Sequence, residues 1–163
     1  MLSITYSLSV SPAIDPEDAW TRFAMSVFKV TGLLIRIGEG ITNPLGQSSA
    51  RWQVLGRAYE PTTVAKMAQD IGHARQSVQR IADTLATEGL VSYEDNPTDR
   101  RARFLELTSD GREVLAEIYQ RQVEWSLRIM QQLNPAQLAQ IASKLEGIAQ
   151  VLESSIDASE EGG

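Results

Sequence analysis

Thr63-Val64-Ala65-Lys66-Met67-Ala68-Gln69-Asp70-Ile71-Gly72-His73-Ala74-Arg75-Gln76-Ser77-Val78-Gln79-Arg80-Ile81-Ala82-Asp83-Thr84-Leu85-Ala86-Thr87-Glu88-Gly89-Leu90 reads as two short helices with a tight joint between them. Thr63 is placed to cap the first, and Gly72 to end it in a left-handed residue. Val64, Ala65, Met67, Ala68 and Ile71 form that helix's apolar set. The second helix is expected from about Arg75 to Glu88, with Gly89 as its stop and Val78, Ile81, Ala82 and Leu85 facing inward. Ala68 is the small residue where the two helices cross. The leading outward positions of the second helix are polar: Arg75, Gln76, Ser77, Gln79 and Arg80. Gln76 and Arg80 are four apart and share a face.

Just downstream the period changes from helical to alternating. Leu90-Val91-Ser92-Tyr93 reads as a strand, Asn96-Pro97-Thr98-Asp99 as a turn, and Ala102 to Leu107 as a second strand. A two-stranded hairpin does not stand alone in water, so it must pack on the preceding helices. Asp99, Arg100, Arg101 and Arg103 lie at the turn and on its far side. Upstream, Ser49 to Tyr59 is expected to form a helix that Pro61 breaks.

Long helices flank this central unit. Asp15-Pro16-Glu17-Asp18 is a helix start, with a cap, a first-position proline and acids in the first turn. Trp20, Phe23, Val27, Val30, Leu34, Ile37 and Ile41 then form a narrow stripe until Thr42-Asn43-Pro44. Thr108 caps a helix expected to reach about Leu133, and Asn134-Pro135 opens another through Leu152. The expected organisation is an N-terminal arm (1–14), a helical lobe built from 15–44 and 109–155, a winged helix-turn-helix unit (45–108) and a disordered tail (156–163). The fold class is mainly α with a small β-hairpin wing. The terminal faces are long enough to continue into a second subunit, which makes the lobe a candidate dimerisation surface.

Two helices of this kind suit duplex DNA. One braces while the next enters the major groove, where arginine can pair with guanine and glutamine with adenine. Arginine on a wing suits a narrow minor groove, and Asp99 could hold one by an ion pair. The net charge of −6, from 15 Lys and Arg against 21 Asp and Glu, opposes DNA binding as a sum. Its distribution does not: acids gather near both ends, and Arg100, Arg101 and Arg103 cluster in the middle.

Other chemistry finds little support. No cysteine means no disulfide, thiolate metal site or thiol redox sensor. No run approaches a membrane span, and Met1 to Tyr6 does not read as a signal peptide, so a cytoplasmic protein is expected. No metalloprotease, phosphate-loop or nucleophile-elbow motif is present. The single histidine, His73, sits in the turn. No enzyme chemistry, metal or cofactor is expected.

Residues from about 50 to 115 resemble the MarR family of bacterial regulators. The resemblance rests on Arg51-Trp52-Gln53-Val54-Leu55, Val64 to Ala68, Arg75 to Arg80, Glu88-Gly89-Leu90-Val91, Asn96 to Arg101, and Leu105-Glu106-Leu107-Thr108 with Gly111-Arg112. It implies a homodimer joined through the first and last helices, a pseudo-palindromic double-stranded DNA operator, a recognition helix holding Arg75 to Arg80, and minor-groove entry by Arg101 supported by Asp99. It further implies repression relieved by a small apolar or aromatic effector, with Trp20, Phe23, Phe28 and Trp52 as candidate ligand-binding residues. The chain departs from the family at Ala74, where a Ser or Thr cap is usual, and at Gln79, where Thr is frequent. The competing readings are a winged-helix protein-interaction module and a small-molecule-binding protein with no DNA role.

Overall fold

The computed structural model describes residues 15–99 and 101–160. The expected arm of residues 1–14, Arg100 and the end of the expected tail lie outside these. The described chain is mainly helical with a small antiparallel sheet, as the sequence predicts.

Helix α1 (Pro16–Thr42) begins at the Asp15 cap, whose carboxylate accepts from the Glu17 N–H at 3.2 Å. Only its C-terminal end is buried, at Gly38, Ile41 and Thr42. There it meets α2 (Ser49–Arg57) closely: a Cβ on Gly38 would lie 2.6 Å from Ser49 Oγ. Ser49 N–H also donates to Glu39 Oε1 at 2.8 Å, so the α1–α2 corner is fixed by a bond as well as by packing. The other two glycines of α1, Gly32 and Gly40, face open space.

The helix-turn-helix forms at its predicted position. Helix α3 (Val64–Ile71) is capped by Thr63 and ends in Gly72 at φ 65°; α4 (Arg75–Thr87) follows after a short turn. Ala74 stands at the α4 cap and gives no side-chain hydrogen bond. Val54, Leu55, Met67, Ala68, Val78, Ala82 and Leu85 make the common core, joined by Leu105, Leu115 and Ile118. Fully burying a side chain of this kind contributes about 1.5–3 kcal/mol, so this interlock holds α3 against α4.

The expected hairpin is a sheet of three strands. Strands β2 (Val91–Glu94) and β3 (Phe104–Leu107) pair antiparallel, and β1 (Thr62–Thr63) adds to the other edge of β3, giving the order β1-β3-β2. The sheet ties the start of α3 to the wing.

Helix α5 (Ser109–Ile129) starts at Thr108, whose hydroxyl accepts from Gly111 N–H at 3.1 Å and donates to the Gly89 carbonyl at 2.7 Å. A Cβ at Gly111 would overlap the Leu90 carbonyl oxygen. Helix α5 ends at Ile129, short of the expected Leu133, and residues 130–134 turn the chain toward the next helix. Helix α6 (Pro135–Glu160) continues past Ser154, where a disordered tail was expected; no proline or glycine interrupts residues 154–160. Among the described residues α1 packs on α2 and α5, while α6 shares no extended packing with another element.

Candidate nucleic-acid interface

Helix α4 and the wing define one face of the molecule. Arg75, Gln76 and Arg80 are exposed, and their side chains have no hydrogen-bonding or ionic partner among the described residues. Gln76 and Arg80 lie beside one another, as their spacing predicts. Ser77 is half-buried and turns toward α2, where it lines a surface depression with Ser48, Arg51 and Arg80.

Gln79 is held differently. Its amide nitrogen donates to Asp83 Oδ1 at 2.9 Å and to the Tyr93 hydroxyl at 2.7 Å. The Tyr93 hydroxyl donates to the same Asp83 oxygen at 2.7 Å. Burial, reinforced by Asp83, pushes the Tyr93 phenol up to about 12.

A single buried residue organises the wing turn. Asn96 Oδ1 accepts from Thr98 N–H at 3.0 Å, Thr98 Oγ1 at 2.7 Å and Asp99 N–H at 3.2 Å, while its amide donates to the Ala102 carbonyl at 2.9 Å. The Asn-Pro pair marked the turn in sequence, but not that Asn96 would be its buried centre. Asp99 also serves the backbone: its carboxylate accepts from Arg101 N–H at 2.9 Å. The anticipated ion pair from Asp99 to an arginine side chain is not formed among the described residues. The Arg101 side chain is exposed and has no partner among the described residues. Arg103 is engaged: it donates to the Tyr93 carbonyl and places its guanidinium 5.3 Å from that ring's centre. Arg75, Arg101 and Arg103 line one cleft of about 290 Å³ between α4, the start of α3 and the wing, with Gln79, Asp83 and Tyr93 among its other walls.

A second cavity, of about 360 Å³, lies between α1, α2 and α5. Leu34, Ile37, Ile41, Trp52 and Trp125 supply apolar walls, and Thr31, Ser49, Gln53 and Gln122 supply polar groups. Of the four aromatic residues named from sequence, Trp52 alone lines it. Trp20 and Phe23 pair with each other at 5.7 Å nearer the start of α1, and Phe28 is exposed. Trp125 was not anticipated, because its spacing on α5 looks like that of any core residue.

A model of the MarR family matches residues 51–102, which contain α2, both helices of the helix-turn-helix and most of the wing. An uncharacterized protein of Mycobacterium tuberculosis, Rv2011c, is 37% identical over 123 residues, covering 75% of this chain and 86% of that one. The Mycobacterium bovis protein Mb2034c matches to the same extent. The chain belongs to the MarR family. Solved structures of similar fold include the transcriptional regulator BldR from Sulfolobus solfataricus, at TM-score 0.70 and 20% identity, covering 86% of this chain and 99% of that one. CouR from Rhodococcus jostii RHA1 bound to p-coumaroyl-CoA aligns at TM-score 0.70 and 22% identity, over 78% of this chain and 91% of CouR. A mutant MarR from E. coli complexed with operator DNA aligns at 0.69 and 19% identity, over 82% of this chain and 98% of that one. At these identities the structures establish a shared fold. Among the described residues of this MarR-family chain, no helix is long and apolar enough to cross a membrane.

Proposed function

We propose that this MarR-family chain acts as a homodimeric, sequence-specific regulator of transcription that binds double-stranded DNA and represses genes near its operator. The observation that carries the proposal is the set of exposed side chains Arg75, Gln76 and Arg80 on α4, without partners among the described residues, beside Arg101 on the wing turn. Hydrogen-bond donors held on rigid elements and left without internal partners suit base edges and phosphates. Helix α4 would enter the major groove and Arg101 the adjoining minor groove. Arg75 and Arg103, on the walls of the cleft, would meet the backbone between them.

The dimer follows from what is uncovered. Val30, Leu34, Leu138, Ile141, Leu145 and Leu152 are exposed on α1 and α6. A second copy would cover these faces and set two α4 helices against half-sites about one DNA turn, roughly 10 base pairs, apart. The cavity at Trp52 and Trp125 has no charged side chain in its wall. It suits a small, neutral apolar or aromatic effector whose binding would change the spacing of the winged units.

Fluorescence anisotropy of the full chain against its own upstream intergenic DNA, with an unrelated fragment alongside, tests the reading across a salt series. Affinity should be selective for one fragment and fall steeply with salt, because each phosphate neutralised releases counterions. Binding of neither fragment at low salt would count against a local regulator and favour a protein-interaction module.

A further inference from the structure

The base of the cleft between α4 and the sheet is closed by a ring of three hydrogen bonds. Tyr93 on β2 donates to Asp83 and accepts from Gln79, and Gln79 donates its other hydrogen to Asp83. The Gln79 amide nitrogen is thereby turned toward Asp83 and Tyr93, whereas recognition of adenine needs an N–H and the amide oxygen presented together to the base edge. Gln79 and Asp83 stand one turn apart on α4, whereas Tyr93 belongs to the strand from which the wing grows. From beyond the turn, Arg103 lies over the Tyr93 ring and binds its carbonyl. Tyr93 therefore touches the recognition helix with its hydroxyl and the return strand of the wing with its ring and backbone.

We infer that Tyr93 is a positioning residue that fixes the wing at a set angle to α4, and that Gln79 belongs to this joint and does not read a base. The inference rests on the DNA reading above. A duplex presents its major groove and the neighbouring minor groove at a fixed offset, so α4 and Arg101 engage together only when the angle between them is held closely. Burial suits the phenol to this task. With its proton retained up to about 12, the hydroxyl donates to Asp83 across the working range of pH. The charged groups facing it are Asp83 from α4 and Arg103 from the sheet. Base reading on α4 is then left to Gln76 and Arg80.

The test uses the full chain and a duplex that it selects from a randomised pool, together with all single-base-pair variants of that duplex. Gln79→Ala should weaken binding to every duplex by the same factor, roughly threefold to tenfold. Gln76→Ala or Arg80→Ala should instead relax preference at individual positions. Tyr93→Phe keeps the ring beneath Arg103 and removes only the hydroxyl. It should reproduce the uniform loss, and the Gln79→Ala/Tyr93→Phe double variant should lose little more than either single variant, since both break one joint. In the unbound protein, the phenolate absorbance lost in Tyr93→Phe should correspond to a group titrating near 12, and Asp83→Asn should bring it down toward 10.0. Relaxation at one base pair in Gln79→Ala, or losses that add in the double variant, would overturn the assignment. If the unmodified chain binds no duplex in a salt-dependent way, the DNA reading itself falls and takes this joint's role with it.

Discussion

Gly111 shows how a single residue can carry a local arrangement. Its N–H satisfies the Thr108 hydroxyl, that hydroxyl reaches the Gly89 carbonyl, and Thr108 N–H donates to the Leu90 carbonyl at 3.2 Å. The first turn of α5 therefore rests directly on the chain leaving α4, with no room for a Cβ between them. Gly111→Ala should destabilise the protein by about 1–3 kcal/mol through overpacking against backbone. A thermal melt followed by circular dichroism would show this, and an unchanged midpoint would mean that the helix start can shift at no cost. The Leu-Thr-x-x-Gly pattern was legible in sequence as a family resemblance, and the structure supplies its reason. Other single residues were less legible. Asn96 looked like any turn asparagine, because nothing in a one-dimensional pattern says which turn residue will be buried. Gln79 looked like a reader because its position on α4 faces outward; its partner Tyr93 lies 14 residues away on another element.

At the scale of elements, periodicity located nearly every helix, and the caps Asp15, Thr63, Thr108 and Asn134 fixed their starts. Strand β1 escaped because two residues have no period, and Thr63 announces itself more strongly as a cap. The candidate ligand-binding residues divide for a related reason. An aromatic stripe on α1 states which residues share a face but not what stands opposite that face, so Trp20, Phe23 and Phe28 were grouped with a cavity they do not line. A neutral phenol should quench the tryptophan fluorescence saturably and benzoate should not, since no cation lines that cavity. Trp52→Phe combined with Trp125→Phe should abolish the response, and equal quenching by both probes would remove the preference for a neutral ligand. Elements are also joined by charge. Arg51 on α2 forms a two-pronged pair with Glu88 at the end of α4, and this bond holds the Glu88 carboxyl below its ordinary value of 4.5. A lowered folded-state value stabilises the fold above 4.5, and the contribution fades as pH falls through the folded value. Glu88→Gln should therefore cost stability at neutral pH, by about 1 kcal/mol or less because the carboxylate is partly exposed. The difference from the unmodified protein should vanish in acid. A gap between the two denaturant curves that stays constant down to low pH would exclude the pair as its source.

The whole chain was legible as a winged unit between long helices whose apolar faces look toward a second subunit. Among the described residues the buried core gathers chiefly in α2 to α5, whereas no other element packs extensively along the apolar face of α6. Sequence shows that a face is apolar and long; whether the same chain or another covers it depends on where loops direct the helices. Ile141→Glu with Leu145→Glu should leave the winged unit folded, convert the protein to a monomer in sedimentation and lower operator affinity by at least tenfold, as expected when paired contact with two half-sites is lost. A monomer that binds as well as the unmodified protein would disprove the need for pairing. On the proposed homodimer reading, the uncovered face of α6 would also make copy number a variable of operator binding. Where chains are scarce, the paired species rises as the square of chain concentration, by mass action. Operator occupancy would then climb more steeply than protein supply, so small drifts in synthesis pass unnoticed until a threshold is crossed.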